Sequence, residues 1–286
     1  MSEALSSKAL KPFGCSVEVD LSTPLSEDQQ QDLRDLFARH LLLRFRGQRL
    51  SASDQVRVMG YLGSVLRLPG GLDYEYVSNT RPDGKLGSDE ISWHSDMQFS
   101  PLPFDALSLH AVSVVDKMTS TRFASGARAY ERLTSDQREV VGGLSALNVF
   151  ASDFPGRNRS FQLSAGAPRS VHSVVKQHPV SRIPFLFVSW QQTDSIVGLE
   201  ASESDRLLEQ LFALLYDEEN ILEHHWSVGD LVIWDNQSLQ HARGDISREG
   251  ERTLQKVTLG QKNLLEMYPE FAGKTTDELR LSTAVS

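Results

Sequence analysis

Two hydrophobic rhythms share this chain. Over residues 26–40, S-E-D-Q-Q-Q-D-L-R-D-L-F-A-R-H, the positions Leu33, Leu36, Phe37 and His40 recur at i, i+3, i+4, i+7 and fall on one helical face. Ser26 stands just ahead of that run with acids in the first turn, the composition of an N-cap. The same period predicts helices over 51–63, 126–133 and 135–143, the last opened by Thr134-Ser135-Asp136, and a strongly amphipathic one over 202–217. Elsewhere the pattern shortens to strands: 16–19, 41–46, 74–79 running into the turn R-P-D-G, the alternating 106–114, then 184–190, 231–235 and 252–260. Many short strands, few helices and no βαβ rhythm predict an α+β chain that is mainly β, an antiparallel sandwich or barrel with helices outside. No linker interrupts 1–286, which reads as a single domain, with 261–286 as a C-terminal extension. Residues 150–171, rich in Gly, Ser, Arg, Asn and Pro, form the longest irregular stretch, a length typical of a functional lid or a disordered loop.

Composition narrows the partners. Of 286 residues, 29 are basic and 38 acidic, a formal charge of −9, with no basic run. Such a chain is poorly suited to nucleic acid or to an anionic membrane surface. The apolar runs, Leu41-Leu42-Leu43 among them, are far too short to span a bilayer, and the first residues carry no apolar leader. The expectation is a soluble, cytoplasmic protein acting on a small molecule. Oligomeric state is not readable, and a homo-oligomer stays open. The lone Cys15 excludes an internal disulfide and reads as a small buried hydrophobe.

One short stretch carries chemistry: I-S-W-H-S-D-M-Q-F-S, residues 91–100. On a strand, His94 and Asp96 at i, i+2 would share a face, the spacing two metal ligands need. Taken alone, H-x-D is more often a half-exposed pair hydrogen-bonded to its neighbours. Among the other histidines, His40 lies on a helix's apolar face and reads as a core or interface residue, and His224-His225 as a solvated polar turn. His241 closes L-V-I-W-D-N-Q-S-L-Q-H, a buried-looking strand followed by a polar turn, and so sits where a barrel mouth would be. His94, Asp96 and His241 together offer two imidazoles and one carboxylate, the donor set of non-haem Fe(II) with open positions rather than of closed structural zinc. A bidentate 2-oxoacid on those positions needs a cation for its far carboxylate. Arg252 and Lys256, four apart on the following strand, are placed to supply one.

At this point the chain resembles the taurine dioxygenase and 2,4-D dioxygenase (TauD/TfdA) family of Fe(II)- and 2-oxoglutarate-dependent oxygenases. The resemblance runs from about residue 10 to 260. Its motifs are W-H-S-D (93–96), A-Y-E-R-L (129–133), V-H-S-V-V-K-Q-H-P (171–179), I-V-G-L (196–199) and the long block W-S-V-G-D-L-V-I-W-D-N-Q-S-L-Q-H-A-R (226–243). It implies a double-stranded β-helix (jelly-roll, cupin-like) core with flanking helices, and His94, Asp96 and His241 as iron ligands. It also implies that Arg252 pairs with the far carboxylate of 2-oxoglutarate, that Thr121 hydrogen-bonds the same carboxylate, and that Lys256 stands near the co-substrate's iron-bound end. Two departures are visible. The family's P-x-x-G-G-D-T is here V-D-K-M-T-S-T, and Lys256 replaces an arginine, a point charge for a planar fork. Asp96 is retained, which disfavours halogenation.

The implied reaction consumes 2-oxoglutarate and O₂, releases succinate and CO₂, and oxidises an unactivated C–H bond. Hydroxylation is the commonest outcome; desaturation, cyclisation and loss of a heteroatom group use the same iron. By analogy Asn79, Met97 and Phe99 face the substrate. Arg157, Arg159, Arg169 and His172 in or beside the lid would meet an anionic group, and Trp190 would line the pocket. The substrate class is a small organic acid or amino-acid-like metabolite. The alternatives are a non-catalytic metal-binding or sensor protein on the same barrel, which need not hold a co-substrate carboxylate, and a zinc hydrolase, which gives Arg252 no role.

Overall fold

The structure is a computed structural model that describes residues 4–150, 156–163 and 166–273. Strands dominate. An eight-stranded sheet runs in the order Ser6–Ala9, Cys15–Glu18, Leu42–Phe45, Leu231–Asp235, Ala106–Val114, Arg252–Leu259, Glu75–Ser78, Gly84–Leu86. Its neighbours pair antiparallel, except that Cys15–Glu18 lies parallel to Leu42–Phe45 and Glu75–Ser78 parallel to Gly84–Leu86. A four-stranded sheet runs Ile221–His225, Ser120–Ser125, Leu239–Arg243, Ile91–His94.

The apolar run L-V-I-W-D explains how these sheets are layered. A strand buried on both faces has no polar side to alternate with. Val232 and Trp234 point one way, into a cluster with Leu107, Leu109 and Leu254 of the same sheet and Phe123, Leu222 and Leu239 of the smaller one. Phe123 and Trp234 meet edge-to-face, with ring centroids 5.2 Å apart. Leu231 and Ile233 point the other way, packing with Leu43, Phe45 and Val257 under Leu33 of the helix Glu27–His40 and Val58 and Met59 of the helix Ala52–Gly60. Ser26 caps the first helix, accepting from Gln29 N while the Gln29 side chain accepts from Ser26 N. Where Gln55 meets the sheet its amide is satisfied by Gln255 and Ser108, so burying it leaves no donor stranded. A third cluster joins the helix Ala201–Leu215 to Ala129, Val141, Ala146, Leu186 and Ile196.

Some expectations change. The strand expected over 184–190 stops at Leu186; beyond it Phe187 N bonds Val174 O and the chain turns away. His224-His225 close the strand Ile221–His225 instead of forming a solvated turn, because the short helix Glu218–Asn220 completes the reversal before it. His224 therefore points inward, 2% exposed, with Nε2 3.2 Å from Asp230 Oδ2, while His225 stays exposed. His40 is only half-buried, and Cys15 is buried and unpaired. Of the irregular 150–171 stretch, 151–155 and 164–165 lie outside the described residues, as does 274–286 of the C-terminal extension. Among the described residues no helix is long and apolar enough to cross a membrane.

Two measurements follow from this core. Leu43→Ala should cost about 2–5 kcal/mol in chemical denaturation, whereas Val228→Ala at an exposed position should stay within about 0.5 kcal/mol. Burial lowers the imidazole pKa of His110, His172 and His224 from the ordinary value. The unfolded chain then binds protons that the folded chain refuses. Stability is thus fully present above about pH 6.5 and falls as pH drops below it. Denaturation midpoints of metal-stripped protein at pH 7 and 5.5 check this, the lower pH giving the lower midpoint.

Candidate active site

His94 ends the strand Ile91–His94, and His241 sits opposite it on Leu239–Arg243 as a direct cross-strand partner. Their ring centroids are 4.2 Å apart. Asp96 reaches the same point by a different route from that expected. The strand stops at His94, and Asp96 lies in the turn that follows, so i, i+2 alternation is not what aligns the pair. Asn236, fully buried, holds the turn instead: its Oδ1 accepts from Asp96 N at 2.8 Å and its Nδ2 donates to Asp96 O at 2.9 Å. One side-chain amide thus pins both backbone polar groups of the carboxylate residue.

Ligating atoms of His94, Asp96 and His241 all lie within 4.8 Å of one another, a group that could hold a metal ion. Asp96 Oδ1 is 3.2 Å from His94 Nε2 and 3.5 Å from His241 Nε2. His94 Nδ1 is 2.8 Å from Ser92 O. A carbonyl only accepts, so Nδ1 carries a proton and Nε2 is the ring atom turned toward the carboxylate. The donor set, two imidazoles and one carboxylate, suits a divalent transition metal with open positions.

Lys256 completes this charge pattern. Its Nζ is 2.7 Å from Asp96 Oδ2 and 3.5 Å from Glu75 Oε1, and Glu75 is bridged onward to Lys85 at 2.7 Å. Burial alone would raise the Asp96 carboxyl, but the Lys256 ammonium and the two imidazoles outweigh it and hold the group well below the usual carboxylate range. Burial and the neighbouring His94 push His241 well below an ordinary imidazole, so it stays neutral and able to ligate. The expectation for Lys256 did not include this engagement with Asp96 and Glu75.

The trio opens onto a cavity of about 50 Å³ walled by Val77, Leu86, Ile91, Leu107 and Leu109. Thr121, Arg243 and Arg252 face the same space. Arg252 is 2% exposed; its Nη2 donates to Thr121 Oγ1 at 3.3 Å, while Nε and Nη1 are buried without a partner. Burial and the like charge of Arg243 push its pKa down to about 9. Trp226 Nε1 also donates to Thr121 Oγ1, at 3.0 Å. With two donors on its oxygen, the Thr121 hydroxyl has only its own proton left to offer. These groups present a cluster of buried hydrogen-bond donors to the cavity.

Not every candidate reaches the cavity. Asn79 turns to the backbone beside it: its Oδ1 accepts from Arg252 N and its Nδ2 donates to Gly250 O, fixing the start of the Arg252 strand. Met97 and Phe99 are buried, and the Phe99 ring packs on Phe150 and on Tyr268 of the C-terminal segment. Arg157 donates to Thr193 O, Asp194 O and Asp205, with its guanidinium over Trp190 and Phe212. Arg159 pairs with Asp194 and Asp205. Arg169 Nε donates to Ala167 O, and His172 Nε2 lies 2.8 Å from Ser100 O. Trp190 is 40% exposed and packs against Phe212. The residues that sequence reasoning missed are Asn236, Glu75 and Arg243. Arg243, two positions after His241, carried a signal in that spacing; Glu75 and Asn236 carried none.

Three ligand atoms on one side of a cavity, beside buried unpaired guanidinium groups, define a metal centre built to work with an anionic co-ligand. Comparison with known proteins agrees. Residues 6–258 match the family described as taurine catabolism dioxygenase TauD, TfdA family, and the chain belongs to it. It is 28% identical over 231 residues to the (S)-phenoxypropionate/alpha-ketoglutarate-dioxygenase of Delftia acidovorans, covering 73% of this chain and 78% of that protein. It is also 28% identical over 257 residues to the alpha-ketoglutarate-dependent sulfate ester dioxygenase of Pseudomonas putida, 84% of each. The crystal structure of a taurine dioxygenase from Burkholderia xenovorans superposes with a TM-score of 0.77 at 24% identity, covering 90% of this chain and 91% of that one.

Asn236→Ala should leave the fold intact and weaken Mn(II) or Fe(II) binding by roughly 10- to 100-fold, the usual consequence of freeing a ligand's support. Metal titration followed by calorimetry, with circular dichroism as the folding control, checks it.

Proposed function

We propose that this dioxygenase oxidises, chiefly by hydroxylation, an unactivated C–H bond of a small organic anion, consuming 2-oxoglutarate and O₂ and releasing succinate and CO₂. The observation that carries this reading is the shared cavity: the metal-binding trio and the Thr121–Arg252 receptor open onto one space. A metal site of another kind would have no use for the second feature. The anionic class draws on the relatives, whose named substrates are a phenoxypropionate and a sulfate ester. On this reading the facing sheets are a double-stranded β-helix, in one catalytic domain.

His94, Asp96 and His241 would hold Fe(II), and Arg252 with Thr121 would take the distal carboxylate of 2-oxoglutarate. When bound, the iron supplies O₂ activation coupled to decarboxylation of the co-substrate. The remaining work belongs to the chain. Lys256 occupies Asp96 Oδ2 and leaves Oδ1 facing both imidazoles, so the carboxylate presents one oxygen. Val77, Leu107 and Leu109 give the cavity an apolar wall, and a lower local dielectric strengthens each charge interaction inside.

The test is an anaerobic titration of Fe(II)-loaded protein with 2-oxoglutarate, followed by aerobic succinate assays over small organic anions, phenoxypropionates and sulfate esters included. A visible charge-transfer band absent from His94→Ala, and succinate formation that depends on one substrate, are the expected results. No band and no succinate from any substrate would sink the reading.

A further inference from the structure

Arg243 is the buried charge for which the reaction outlined above has no use. It ends the strand that carries His241, is 5% exposed, and faces the cavity shared with Arg252. Its Nη2 donates to Leu86 O at 2.8 Å and to Asp89 O. Nε and Nη1 are buried without partners, as are the same two atoms of Arg252. Neither arginine forms an ion pair with a carboxylate among the described residues. Two like charges sharing a dry space, each with idle donors, is an unfavourable arrangement that an anion would relieve.

We propose that Arg243 is a second binding residue for the distal carboxylate of the co-substrate, acting jointly with Arg252 and Thr121. The proposal rests on the 2-oxoglutarate reading given above. A carboxylate offers about four lone-pair sites. The free edge of Arg252 and the outward Thr121 hydroxyl account for some of them, and the Nε and Nη1 groups of Arg243 supply the remainder. The same guanidinium is clamped to the carbonyls of Leu86 and Asp89, and Leu86 walls the cavity. Seating the carboxylate therefore fixes the 86–89 turn as well, where Leu86 and Gly87 hold positive φ angles of 66° and 39°.

The experiment uses Mn(II)-loaded full-length protein and calorimetric titration with three ligands. These are 2-oxoglutarate, glutarate (both carboxylates, no keto group) and pyruvate (the 2-oxoacid end alone). Arg243→Gln should weaken 2-oxoglutarate and glutarate by roughly 10- to 100-fold, the span expected for a lost hydrogen bond to a charged group, and leave pyruvate and Mn(II) binding unchanged. Arg243→Lys, which keeps the charge but loses the fork, should recover only part of the loss. Hydrogen exchange at 86–89 should slow on adding glutarate to the wild type and respond less in either variant. Undiminished dicarboxylate affinity in both folded variants overturns the proposal, as does an equal loss of pyruvate binding. If the wild type binds neither 2-oxoglutarate nor glutarate, the oxygenase reading itself fails, an outcome distinct from either of these.

Discussion

The site hangs on one cross-strand register. His94 and His241 face each other directly on adjacent antiparallel strands, and a slip of one residue would send one ring to the opposite face of the sheet. The core guards that register. His241 is also the cross-strand partner of Phe123, and Trp234 lays an edge against both the Phe123 ring and the His241 ring. Packing that joins the two sheets thus bears on a metal ligand, so core stability and ligand geometry are set by the same contacts. Asp96 is added from a turn, and its position depends on the amide of Asn236 rather than on strand geometry.

Charge inside the cavity is divided into a spent half and an unspent half. Lys256 is committed to Asp96 and Glu75, so its ammonium is compensated whether or not anything binds. Arg252 and Arg243 form no direct ion pair with a carboxylate among the described residues, and burial outweighs the more distant acids Asp89, Asp245 and Glu249, lowering both, Arg243 to about 10. Folding holds these arginines at a cost that an anionic ligand would offset. Binding free energy of that kind stabilises the folded state by mass action.

Much of this was legible in the sequence wherever the cause is local. Ser26 ahead of its acidic first turn, the alternation over Ala106–Val114 and the apolar run Leu231–Asp235 are written in neighbouring residues, and they folded where expected. His94, Asp96, His241, Thr121 and Arg252 could be picked out because their residue types and spacing match a family pattern, and the fold brings them to one cavity. What could not be read is pairing between distant segments. Glu75 meets Lys256 only because the register of Glu75–Ser78 against Arg252–Leu259 sets them opposite. Arg157 and Arg159 looked free for a ligand because their partners are distant in sequence: Asp194 and Asp205 are folded against them. His224 looked solvated because the turn before it is only three residues long.

Thr121 turns the cavity into a filter for hydrogen-bond polarity. Its oxygen already receives the Trp226 indole and the Arg252 guanidinium, so it can give a proton and take none. The Arg252 and Arg243 guanidinium groups beside it are likewise donors. A carboxylate, which only accepts, satisfies all of them at once. A carboxamide of the same shape would bring its own N–H groups against them, leaving donor facing donor in a buried space. A dicarboxylic acid bound there would be favoured over its half-amide by the direction of its hydrogen bonds, although the two differ little in size.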